Sequence, residues 1–93
     1  MNKTTKKLIY KKVTGTKQRK PSTEDLNNVY VYRPVMLKLE GEEEKPSYII
    51  PYTKRPKGSY VLFDLENLNT GHNKIIKTSH IETIQQLWLK PQE

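Results

Sequence analysis

Tyr48-Ile49-Ile50-Pro51-Tyr52-Thr53-Lys54-Arg55-Pro56-Lys57-Gly58-Ser59-Tyr60-Val61-Leu62-Phe63-Asp64-Leu65 is the stretch that decides the fold. Two runs rich in β-branched and aromatic residues flank the five-residue segment Lys54–Gly58. Pro56 presets φ for an early turn position, and Gly58 supplies the positive φ that closes the turn. The pattern predicts a β-hairpin. Its tip is basic: Lys54, Arg55 and Lys57 lie between Tyr52 and Tyr60. The main structural signal and the main local functional signal therefore coincide.

Outward from the hairpin, other short strands are expected. Val29 to Glu40 alternates with period two. Val31, Val35, Leu37 and Leu39 fall on one face, with Tyr30, Tyr32, Met36 and Lys38 on the other. Pro34 interrupts this run and Pro51 interrupts the first hairpin arm. A proline cannot donate to a ladder, so each predicts a bulge or an edge strand. Between the two strands, Gly41 to Pro46 reads as a polar turn carrying Glu42, Glu43 and Glu44. Lys74-Ile75-Ile76-Lys77 reads as a short strand. Near the N-terminus, Lys7 to Thr14 is a strand candidate, and its adjacent Lys11 and Lys12 suit a sheet edge. Gly15 to Asn28 reads as a linker, in which Ser22 or Thr23 caps one helical turn.

The C-terminal stretch gives a helical pattern. Ser79 and Glu82 have capping-box spacing, and Ile81, Ile84 and Leu87 or Trp88 recur at i, i+3 and i+6/i+7. A helix of about ten residues ending before Pro91 is expected. The competing reading is one helical turn followed by a closing strand, Ile84 to Leu89. Trp88 is then either a core anchor or a candidate partner-interface anchor, tryptophan being enriched at hot spots.

The expected fold class is mainly β with a short C-terminal helix, as a small curved sheet or a barrel of about five strands. The element order resembles SH3-like and Sm-like barrels, where a short helical turn sits between the last two strands. The resemblance is one of fold and implies no activity. The expected organisation is a basic, partly mobile N-terminal segment over 1–28, with one strand candidate at 7–14. A small β-rich domain ending in a helix is expected over 29–93.

Composition narrows the function. The chain has 93 residues, of which 33% are apolar, and its net charge is +7. One domain with a thin core follows, in which six tyrosines, one phenylalanine and one tryptophan supply much of the buried area. The charge is uneven. Residues 1–20 hold eight basic and no acidic residues, whereas 21–93 hold nine basic and ten acidic, for a balance of −1. A basic segment on a near-neutral body is a footprint of polyanion binding. The absence of cysteine removes thiolate metal sites and thiol nucleophiles. It points to a reducing, cytoplasmic setting. No apolar run reaches the roughly 20 residues of a membrane span, and the basic N-terminus lacks the apolar region of a secretory signal.

Nucleic-acid binding leads, since phosphate contacts need lysine or arginine. Lysine outnumbers arginine 14 to 3, which suits backbone contact more than bidentate base readout. The candidate residues are Lys11, Lys12, Lys17, Arg19 and Lys20 in the N-terminal segment, and Lys54, Arg55 and Lys57 at the tip. Tyr52 and Tyr60 are the flanking rings for base stacking, with Tyr30 and Tyr32 as further rings. The rival is a protein-binding adaptor or inhibitor that docks on an acidic protein surface or a nucleoprotein complex. Self-association is a further option, and no membrane partner is expected. No enzyme, cofactor or metal site is expected. His72 and His80 with Glu82 match no ligand spacing, and Asp64 with Glu66 lacks an accompanying nucleophile or phosphate loop.

Overall fold

The computed structural model describes residues 9–66 and 73–89. They form a mainly β fold: one antiparallel sheet of seven strands with one short helical segment, not closed into a barrel. The strands are β1 (Tyr10–Lys12), β2 (Gln18–Arg19), β3 (Pro34–Leu39), β4 (Lys45–Pro51), β5 (Ser59–Asp64), β6 (Lys74–Lys77) and β7 (Ile81–Leu89). The sheet order is β1-β7-β3-β4-β5-β6, with β2 also paired to β7.

The hairpin forms as its turn chemistry predicts. β4 and β5 pair from Ser47 with Asp64 to Pro51 with Tyr60, and Gly58 takes φ +94°. A Cβ there would meet Thr23 Oγ1 at 3.3 Å, so glycine also permits a close approach. Pro34 and Pro51 occupy the first position of β3 and the last of β4. They cost no interior ladder bond, and both strands lie inside the sheet rather than at an edge. The expected edge or bulge at each proline is therefore corrected.

Of the residues before β3, those described pack onto the sheet. β1 and β2 run along the same edge of β7, Tyr10 to Lys12 opposite Leu89 to Leu87, and Gln18 and Arg19 opposite Ile84 and Thr83. Between them the chain bows outward through Gly15 at φ +83°. The bow is held at its base. Thr16 Oγ1 donates to the Val13 carbonyl at 2.9 Å and accepts from the Gln86 amide at 3.1 Å. Ser22 then caps α1 (Thr23–Asp25) through a reciprocal capping box with Asp25. The helical path continues through a wider π-type turn, Leu26–Tyr30, closed by the Val31 amide bonding to the Leu26 carbonyl at 3.0 Å. The strand expected from Val29 thus starts only at Pro34, because the Leu26–Tyr30 backbone is bonded locally and not to a neighbouring strand.

This helical segment covers one face of the sheet. Leu26, Tyr30 and Val31 pack with Val35, Leu37, Leu39, Ile49, Tyr60, Ile76, Ile81 and Ile84 into one buried core. The expected common face of Val31, Val35, Leu37 and Leu39 holds, but Tyr30 joins it from the helical turn. Tyr30 donates its hydroxyl to the Thr16 carbonyl, tying the N-terminal bow to the core.

The C-terminal helix is corrected to a strand, in line with the competing reading. A single 3-10 turn, Thr78–His80, precedes β7. The β3–β7 register pairs Lys38 with Thr83 and Leu39 with Ile81, skipping Glu82. Glu82 is the extra residue of a β-bulge, which shifts the phase of the strand. Ile81 and Ile84 therefore both face the core at a spacing of three. A bulged strand here produced the periodicity of a helix. The Ser79–Glu82 capping box does not form; the His80 Nδ1 instead accepts from the Lys77 amide at 3.3 Å.

Candidate nucleic-acid interface

The tip Lys54–Gly58 is braced from below. The Tyr52 amide bonds to the Ser59 carbonyl at 3.0 Å, and the Thr78 amide to the Gly58 carbonyl at 2.9 Å. Thr23 and Thr78 hydroxyls meet at 2.9 Å beneath it. The loop is thereby fastened to the 3-10 turn and to the start of α1. Two grooves flank it. One, of about 380 Å³, runs between the tip and the 3-10 turn and is lined by Arg55, Lys57 and Lys77 with the hydroxyls of Thr23, Thr78 and Ser79. The other, of about 260 Å³, lies against Tyr52, Arg55, Lys57 and Asn27. Among the described residues no carboxylate lines either groove. Arg55 lies over the Tyr52 ring, 5.9 Å from its centroid, within cation–π range.

Ion pairing sorts the cations. Among the described residues, Lys12 pairs with Glu44 and Lys74 with Glu42, both at 3.1 Å, while Lys20 pairs with Glu40 and Lys38 with Glu82. Lys54, Arg55, Lys57 and Lys77 pair with no carboxylate among those residues, and neither do Lys11, Lys17 and Arg19. Hydrogen bonding by Lys38, followed by the nearby positive charges, holds the Glu82 carboxyl below the usual range. At and beside the acidic turn, Glu40, Glu42 and Glu44 each face a lysine. Such exposed pairs are worth little in stability. They do cancel local field, and at the tip that cancellation is missing.

The predicted residues are only partly brought together. Lys54, Arg55, Lys57 and Tyr52 share the tip. Lys11 and Lys12 lie on β1 at the far edge, with β7 and β3 between β1 and β4. There they flank a shallow groove of about 270 Å³ with Thr14 and Trp88. Arg19 and Lys20 lie at the other end of that edge, beside Glu82. Tyr60 is corrected as a stacking ring. It is 1% exposed, and its hydroxyl donates to Asn27 Oδ1 at 2.8 Å. Burial raises its pKa, and burial followed by the Asp25 charge does the same for Tyr30. Tyr30 is likewise a core residue, whereas Tyr32 is exposed at φ +64°. Trp88 is 53% exposed, so it is not the core anchor of a docked helix. It opposes Lys11 across the β1–β7 pairing, whereas Tyr10 opposes Leu89 and so lies on the other face; Ile9 and Tyr10 are exposed.

Lys77 is the tip residue that sequence reasoning missed. Its signal was its place at the end of a strand leading into a turn, which only the β5–β6 pairing of Ser59 with Lys77 connects to the hairpin. Asp64 and Glu66 form a local turn, the Asp64 carboxylate accepting from the Glu66 amide at 2.9 Å. His72 lies outside the described residues. Among the described residues no three His, Cys, Asp or Glu side chains cluster as metal ligands. Nor, among them, is any helix long and apolar enough to cross a membrane. No known family model, curated protein or solved structure matches the chain.

Proposed function

We propose that this is a small non-catalytic nucleic-acid-binding module that contacts mainly the phosphate backbone. Lys54, Arg55, Lys57 and Lys77 form its principal contact set, and Lys11, Lys17 and Arg19 add a second. The observation that carries the reading is the clustering of unpaired cations: Lys12, Lys20, Lys38 and Lys74 face glutamates, and of the cations that pair with no carboxylate among the described residues (Lys45 on β4 is another) four gather at the tip. A cation without an internal partner keeps its full attraction for a phosphate, and counterion release from the polyanion supplies the free energy. The braced loop adds preorganisation, since little backbone freedom is left to lose on binding.

The test is fluorescence anisotropy with labelled DNA and RNA, comparing wild type with a Lys54→Gln/Arg55→Gln/Lys57→Gln variant. Deleting residues up to 20 would not serve, because β1 and β2 pair with β7 and their loss exposes a strand edge. The expected result is binding by wild type and its collapse in the variant, with the melting temperature retained. Wild type that fails to bind any of these probes at low salt ends the proposal.

A second reading rests on Trp88. An exposed tryptophan on the edge pairing of β1 with β7 suits a protein-binding adaptor or inhibitor. A salt-resistant complex lost on Trp88→Ala, with nucleic-acid binding absent, favours it.

A further inference from the structure

Two of the rings expected to stack bases, Tyr30 and Tyr60, are spent on the core, but the same hairpin presents others. Side chains alternate along a strand, and directly opposed residues share a face. Ile49 and Tyr60 point into the core, so Tyr48, Ile50, Val61 and Phe63 point to the opposite, outer face. The register groups them: Tyr48 opposite Phe63, Ile50 opposite Val61, Val61 opposite Ile75, and Ser59 opposite Lys77. None belongs to the core cluster, and Tyr48, Ile50, Val61 and Phe63 are half-buried with Ile75 exposed. Tyr48 and Phe63 pair edge-to-face, their centroids 6.3 Å apart.

One line of alternation continues from Tyr48 through Ile50 to Tyr52, which carries Arg55 over its ring. The apolar face therefore runs directly into the unmatched cations of the tip, with Lys77 on the same face. It carries no carboxylate. Tyr48 to Tyr52 spans about 13 Å of strand, or about four nucleotides at the 3.4 Å rise of a stacked strand. The face thus joins aromatic rings to a cluster of cations. Stacked bases joined by phosphates need both.

We infer that the outer face of β4–β5–β6 is a base-stacking platform, so that the ligand is a single strand of nucleic acid. Its bases lie on Phe63, Tyr48 and Tyr52 and its phosphates reach Arg55, Lys57 and Lys77. This rests on the phosphate-binding reading above and narrows it. A duplex keeps its bases inside and offers this face nothing to stack.

The test compares a labelled 12-nucleotide single strand with the duplex of the same sequence, by anisotropy at one low salt concentration. The proteins are wild type, Tyr48→Leu, Phe63→Leu, Phe63→Tyr and the tip-neutralised triple variant, each checked by thermal melting. Leucine keeps apolar bulk and removes the ring. The expected result is tighter binding of the single strand by wild type. Each leucine variant loses about 5- to 150-fold on the single strand, the equivalent of about 1–3 kcal/mol per stacked base. Phe63→Tyr binds as wild type, and duplex affinity does not change. Equal single-strand and duplex affinities in wild type, both lost in the tip variant, overturn the platform and leave the phosphate reading standing. Wild type that binds neither probe overturns both. The wild-type comparison decides the matter even where a leucine variant fails to fold.

Discussion

Neutralising the tip has a calculable effect on the salt dependence of binding. Lys54, Arg55, Lys57 and Lys77 have no carboxylate partner among the described residues, so on the proposed reading up to four phosphates are contacted there. For a single strand the slope of log Kobs against log salt is about −0.7 per neutralised phosphate, which gives about −2.8 for four. Raising salt from about 50 to about 200 mM then weakens binding about 50-fold through the tip alone. The perturbation is the quadruple glutamine variant at these positions, with a second variant carrying glutamine at Lys12, Lys20, Lys38 and Lys74. The assay is anisotropy over a salt series for both and for wild type. The tip variant should flatten the slope by nearly the full amount. The second variant removes as many formal charges but releases their glutamate partners, so its slope should stay near that of wild type. Equal flattening in the two variants would refute the reasoning, since net charge and not local pairing would then govern binding.

Three further predictions concern stability. Tyr60→Phe removes the bond to Asn27 and should cost about 0.5–1.5 kcal/mol. A domain of this size then melts about 4–8 °C lower per kcal/mol, with nucleic-acid affinity unchanged; weakened binding at a normal melting temperature would return Tyr60 to the interface. Trp88→Ala should cost less than the ~3–5 kcal/mol of a fully buried aromatic, because the residue is already 53% exposed, and a calorimetric scan showing the full loss would place it in the core. Tyr30 and Tyr60 have folded pKa values above their unfolded ones, so their neutral forms stabilise the fold below the unfolded tyrosine pKa of about 10. That contribution is lost as pH rises through the raised values. Phenolate absorbance should therefore show two tyrosines ionising late and together with unfolding, and ionisation of Tyr30 and Tyr60 at the ordinary tyrosine value in the native fold would contradict their burial.

Sequence legibility followed the range of the determining contacts. The hairpin, the strand at Lys74–Lys77 and the Ser22 cap were readable because a few neighbouring residues fix each of them. The charged edge at Lys11 and Lys12 was readable too, since lysines at an edge guard it against pairing. The C-terminal strand was not, because the bulge at Glu82 exists only in relation to β3 and makes a strand repeat every three residues. The helical turn at Leu26–Tyr30 straddles the end of the polar linker and the start of the alternating run at Val29, so neither pattern marked it. At the site, the tip cations were visible as a cluster. Which lysines were cancelled depended on glutamates about 20 to 44 residues away. The choice among tyrosines was equally non-local: Tyr60 and Tyr48 lie in similar strand sequences, and only the helical cover over one face separates them.

β7 pairs with β1, β2 and β3, and all three precede it in the chain. During synthesis β3 to β6 have each other, as a meander of neighbours, while β1 and β2 have nothing to pair with. About 60 residues separate Arg19 from Ile81, a wait of roughly 3–12 s at typical elongation rates of about 5–20 residues per second. Through that interval the underside formed by Val35, Leu37, Leu39 and Ile49 lacks Ile81 and Ile84. The nascent chain is thus an open sheet with a bare apolar surface, and one late strand both fills the core and anchors the N-terminal edge. A chain broken off before residue 81 is not a smaller version of the domain but a substrate for chaperones and proteases.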